Sequence, residues 1–160
     1  MDIFEYAMQM EKDGETYYRD LADKASNKGL KAVLTMMADD EVKHYNTISQ
    51  MKAGVAAMPD TKVLEGAKNI FASMKESGGE FEESTDQIDF YKKAQKLEEK
   101  SRQFYSDKAK EADSDENKQL LTRMANEEQK HYNLLGSIIE FVSRPQQWLE
   151  DAEWNHLDEY

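Results

Sequence analysis

Met37-Ala38-Asp39-Asp40-Glu41-Val42-Lys43-His44-Tyr45-Asn46 returns 87 residues later as Met124-Ala125-Asn126-Glu127-Glu128-Gln129-Lys130-His131-Tyr132-Asn133. Seven of the ten positions are identical, and self-similarity at a fixed offset marks one structural unit used twice. The same offset lays Ala7, Glu11, Tyr17 and Tyr18 onto Ala94, Glu98, Phe104 and Tyr105. Register is kept from one long segment to the next, so the repeating unit is a helical pair.

Apolar residues recur at steps of three, four and seven through four segments, the spacing of a helix face. Residues 2–24 turn Phe4, Ala7, Met8, Glu11, Tyr18 and Ala22 inward, and residues 28–53 turn Leu30, Val33, Leu34, Met37, Glu41, His44, Ile48 and Met51. Residues 87–111 do so with Tyr91, Ala94, Leu97, Glu98 and Tyr105, and residues 116–142 with Leu121, Met124, Glu128, His131, Leu135 and Ile138. Each helix therefore presents a carboxylate to the core. With only two prolines and seven glycines, composition also favours long helices.

The expected fold is an all-α four-helix bundle in one domain, 1–160. Hairpin one covers 2–53, a crossover 54–86, hairpin two 87–142 and a tail 143–160. Val63, Leu64, Ala67, Ile70, Phe71 and Met74 predict a short amphipathic helix in the crossover, ahead of a loop at Gly78 and Gly79. A connection that long suits parallel second and third bundle helices, because antiparallel neighbours need only a short turn. After Pro145 the tail carries Trp148, Trp154 and Leu157, expected to dock as a helix through these side chains.

Charge narrows the function classes. Thirty-three acidic and 21 basic residues give a formal net charge of -12, which repels phosphate backbones and anionic lipid. Nucleic acid and membrane are therefore not expected as partners. No stretch approaches the roughly 20 apolar residues of a membrane span, and no basic start followed by an apolar run opens the chain, so a cytoplasmic location is expected. There is no cysteine, which excludes disulfides, thiolate zinc and cysteine-ligated iron from these residues.

Glu at one position and His three later share a helix face, so Glu41 with His44 and Glu128 with His131 can each close on a metal ion. Glu11 and Glu98 add one inward carboxylate per hairpin. Four unpaired carboxylates in one core would each cost several kcal/mol or take up protons, and metal charge relieves both. Mixed oxygen and imidazole ligation suits iron or manganese better than calcium, and is less typical of structural zinc. Two ions sharing Glu41 and Glu128 as bridges is the stoichiometry this set implies, in the pattern of dimetal bundles.

Other candidates are weaker. Tyr18 and Tyr105 either orient these carboxylates or simply pack the core. Asp40 and Glu127 could reach a histidine ring, but the base rate for charged residues places them in solvent. Glu15 has Arg102 as its repeat mate, which argues against ligation. Glu153 and His156 repeat the spacing without an apolar stripe or a partner, and the nine methionines read as core filler.

On these residues the chain resembles the rubrerythrin branch of the ferritin-like superfamily, whose hairpins read Glu, a tyrosine two turns on, then Glu-x-x-His. Glu11, Tyr18, Glu41, His44, Glu98, Tyr105, Glu128 and His131 match that motif across residues 2–142. The resemblance implies two iron ions per chain, with manganese or zinc as substitutes, reacting with peroxide or dioxygen. It also implies an external electron donor and a homodimer. Two departures bear on peroxide reduction: Ser101 stands where such peroxidases carry a further glutamate, and no rubredoxin-type cysteine site is present. Three functions follow as expectations: a di-iron oxidoreductase, a ferroxidase for iron storage or transfer, or a bundle with purely structural metal.

Overall fold

The computed structural model describes residues 2–54, 58, 61–77, 87–150 and 157. Its elements are α1 Ile3–Lys24, α2 Lys28–Lys52, α3 Val63–Ser77, α4 Ile88–Glu111, α5 Asp115–Ser143 and α6 Pro145–Glu150. The four long helices fall within a residue of the bounds expected from periodicity.

Side-chain caps account for the starts of α1, α2 and α5. Asp2, Asn27 and Ser114 accept the backbone N–H groups of Glu5, Leu30 and Asn117 at 2.8, 2.9 and 3.2 Å, satisfying donors that a helix leaves free. Pro145 opens α6, at the first-turn position where its missing N–H costs nothing.

Helices α1 and α2 pack as one hairpin and α4 and α5 as the other, joined through α1 against α4 and α2 against α5. Buried apolar residues form two clusters. One gathers Tyr18, Leu34, Phe71, Tyr91, Leu135 and Trp148 among others; the second gathers Ala7, Ile48, Met58, Tyr105, Leu121 and Met124. Helices α2 and α4 both run from the first cluster to the second, and α1 and α5 run back, so α2 and α4 are parallel, as the long crossover predicts. Met58 lies in the second cluster, whereas Val63, Leu64, Ala67, Phe71 and Met74 of α3 lie in the first. The crossover thus returns the chain along the bundle. Between the clusters sit Glu11, Glu41, His44, Glu98, Glu128 and His131, all buried.

Trp148 is fully buried, its ring 4.6 Å from that of Phe71 and 5.9 Å from that of Phe141. Such aromatic pairs add about 0.5–1.5 kcal/mol each beyond area burial, which ties the tail to α3 and α5. Trp154, Glu153 and His156 lie outside the described residues. One expectation is corrected: Leu97 is 46% exposed. The core face of α4 is centred on Tyr91, Ala94, Glu98 and Tyr105, and Leu97 stands about 100° round from Glu98, at the groove between α1 and α4. Among the described residues no helix is long and apolar enough to cross a membrane.

Candidate metal centre

Each bundle helix delivers one glutamate to a common level, and α2 and α5 add the histidine one turn beyond. The side chains converge into two overlapping groups, Glu11, Glu41, His44 and Glu128 in one, Glu41, Glu98, Glu128 and His131 in the other. In each, one ligand atom per residue lies within 4.8 Å of all the rest. Glu41 and Glu128 belong to both groups, so this donor set could hold two metal ions. The Nδ1 of His44 lies 3.3 Å from Oε2 of Glu11 and 3.0 Å from Oε1 of Glu128. The Nδ1 of His131 lies 3.1 Å from Oε1 of Glu41 and 3.2 Å from Oε1 of Glu98.

The tyrosines cross between hairpins. Tyr105 of α4 donates to Oε1 of Glu11 at 2.5 Å, and Tyr18 of α1 donates to Oε1 of Glu98. Both orient a carboxylate, so packing alone does not describe them. Asp40 and Glu127, expected in solvent, are 3% and 5% exposed. Asp40 of α2 lies 2.8 Å from Nε2 of His131, and Glu127 of α5 lies 2.8 Å from Nε2 of His44. Side chains adjacent to the core face of α2 and α5 point at the facing helix, because these two helices are neighbours. A carboxylate on Nε2 fixes the tautomer that leaves Nδ1 free and raises its basicity. The signal was present in the sequence: Asp40 and Glu127 are repeat mates and both acidic. Glu15 pairs with Arg19 at 2.8 Å instead.

Electrostatics divide the glutamates. Burial, then the charges of Glu11 and Glu98, push Glu41 well above the ordinary carboxylate range, and burial with Glu98, Glu11 and Glu41 does the same to Glu128. At Glu11 burial is outweighed by the facing His44 ring and the Tyr105 hydroxyl, and the carboxyl falls to about 2. Glu98 is lowered too, because Glu128, His131 and Tyr18 overcome its burial. Burial would lower the histidines, but Glu11 beside His44 and Glu98 beside His131 carry both well above 6.5. Without metal the cluster therefore holds its anions with protons. Among the described residues, buried Oε2 of Glu98 lacks a hydrogen bond, and Oε1 of Glu128 has only the 3.0 Å approach of His44 Nδ1, a deficit that a cation would meet.

A cavity of about 170 Å³ opens between α1 and α4 and reaches this cluster. Half-exposed Tyr6 and Leu97 stand at its mouth, Gly14 and Ser101 on its walls, and buried Glu41, Glu98 and Glu128 at its floor. Gly14 and Ser101 are themselves repeat mates, each three residues after an inward glutamate. A Cβ at Gly14 would lie 3.0 Å from Oε2 of Glu41, so the missing side chain keeps that carboxylate accessible.

The family model described as Rubrerythrin matches residues 2–139. No curated protein and no solved structure matched the chain. A match over that span, on two hairpins that gather overlapping carboxylate and histidine clusters, means that this chain belongs to the rubrerythrin family, a ferritin-like di-iron family.

Proposed function

We propose that the protein is a di-iron oxidoreductase of rubrerythrin type, which oxidises an iron(II) pair with peroxide or dioxygen. One observation carries this reading: Glu41 and Glu128, the two glutamates common to both donor groups, lie with Glu98 on the floor of the cavity between α1 and α4. A purely structural metal needs no such opening. The volume admits a few water-sized molecules, enough for either oxidant.

In this reading Glu11 and His44 would hold one iron and Glu98 and His131 the other, with Glu41 and Glu128 within reach of both. When bound, the iron pair supplies two electrons, one from each ion, which with two protons reduce peroxide to two waters. The chain's part is positional and electrostatic. Tyr18 and Tyr105 keep Glu98 and Glu11 in place, while Asp40 and Glu127 hold the Nε2 protons and aim each Nδ1 inward. Apolar side chains on both sides bury the cluster, and the cavity between α1 and α4 gives small molecules access to it. These residues hold no cysteine, so re-reduction requires an external electron donor.

Anaerobic loading with iron(II), followed by separate rapid mixing with peroxide and with air-saturated buffer, tests the reading. Oxidation of bound iron that repeats on addition of a chemical reductant supports it. Oxidised iron leaving the protein for a mineral or a chelator favours ferroxidase storage, and bound iron inert to both oxidants favours a structural role.

A further inference from the structure

The repeat makes the two halves of the centre look equivalent, yet the chain between them occurs only once. We propose that Thr61, in the connection before α3, is a positioning residue for His131 and makes the two halves of the metal centre inequivalent. The proposal rests on the ligand assignment above.

Asp40 accepts from the Thr61 hydroxyl through the same Oδ2 that lies 2.8 Å from Nε2 of His131. Thr61 is itself fixed, because its Oγ1 accepts the backbone N–H of Val63, the first residue of α3, at 3.1 Å. With a lone pair occupied by that N–H, the single hydroxyl proton is directed at Asp40. Lys43 approaches the other oxygen of Asp40 at 3.6 Å. The chain thus runs from the α3 N-terminus through Thr61 and Asp40 to His131.

Its counterpart is shorter. Glu127 lies 2.8 Å from Nε2 of His44, and among the described residues no other side chain is seen to hold its carboxylate. Position 61 shifted by the repeat offset falls on Trp148, which packs against Phe71 and Phe141 and offers no hydroxyl. Glu127 also has one more rotatable bond than Asp40. On its Nε2 side the His131 ring is therefore clamped through Asp40, Thr61 and a backbone anchor, and the His44 ring, among the described residues, through Glu127 alone. Ligand orientation of this kind is what such outer partners supply to a metal.

Cobalt(II) is the probe, because it shifts the N–H resonances of bound imidazoles away from the rest of the spectrum. The intact protein with two equivalents of cobalt(II) should give two shifted, solvent-exchangeable imidazole N–H signals, one exchanging with water more slowly. Glu127→Gln assigns the faster one to His44. In Thr61→Val the slower signal should exchange faster, by about 10-fold on the scale of outer-partner effects, while the His44 signal stays put; Thr61→Ser should restore it. Equal exchange of both signals in the natural protein would overturn the proposal, and that reading needs no variant to fold. An unchanged His131 signal in folded Thr61→Val, or equal changes in both, would overturn it too. Absence of any shifted imidazole signal would overturn the ligand assignment and this proposal with it.

Discussion

His44 and His131 lie with ring centroids 5.9 Å apart and planes inclined by 23°, each turning Nδ1 toward the glutamates and Nε2 toward an acid on the other's helix. The acids are reciprocal: α2 supplies the partner of the α5 histidine, and α5 that of the α2 histidine. The orientation of each histidine ring thus depends on both hairpins being docked.

Glu127→Gln tests that dependence. The amide keeps size and one acceptor but removes the charge behind His44, and iron(II) affinity at one site should fall on the order of 10-fold. Helicity should be unchanged. Anaerobic titration giving two affinities equal to those of the natural protein would contradict the role given to Glu127.

Protonation predicts how metal and pH interact. Glu41 and Glu128 are raised above 4.5 and the histidines above 6.5. Their contribution to metal-free stability is present below those unfolded values and lost as pH rises through the folded ones. Glu11, Glu98 and Asp40 are lowered, so their contribution is lost as pH falls, for Glu11 toward about 2. Metal-free protein should be most stable in mildly acid solution and weaken toward pH ~8. Bound metal needs ionised carboxylates and neutral imidazoles, so its binding releases protons. The rise in melting temperature on anaerobic iron(II) loading should be larger at pH ~8 than at pH ~5.5. A rise that shrinks with pH, or no proton release on binding, would contradict the assignment.

The cavity walls predict reactivity. Ser101→Glu adds a carboxylate one turn from Glu98, facing the opening. At equal iron loading it should speed oxidation by peroxide more than by dioxygen, by about 10-fold, equivalent to about 1.4 kcal/mol on the barrier. The natural protein should reduce peroxide slowly. Gly14→Ala is the steric counterpart: its methyl would press on Glu41 and slow both oxidants while two irons remain bound. Rapid-mixing rates unchanged in either variant would show that these walls do not govern access.

Much of this was legible in the sequence because it depends on periodicity. A two-fold repeat with glutamates on the apolar stripe fixes four helices, their direction and the level at which Glu11, Glu41, His44, Glu98, Glu128 and His131 meet. What depends on neighbours was not legible. Asp40 and Glu127 sit next to the inward Glu41 and Glu128 on a charged sequence, and only the closeness of α2 and α5 makes their direction inward. Leu97 fits the stripe by spacing, yet the face is centred one residue further on. The cavity arises from what Gly14 and Ser101 lack, and no pattern of present side chains announces a void. Thr61 lies in irregular chain, where periodicity says nothing.

If Glu41 and Glu128 each reach both ions, the donor set should bind two metal ions per chain. Elemental analysis after anaerobic iron(II) loading and removal of free metal tests it directly, on the natural chain and on Glu41→Ala and Glu128→Ala. Two irons per chain are expected in the natural protein, with loss of most of that capacity in either variant. One iron or none in the natural protein, or two irons retained in the variants, would contradict it.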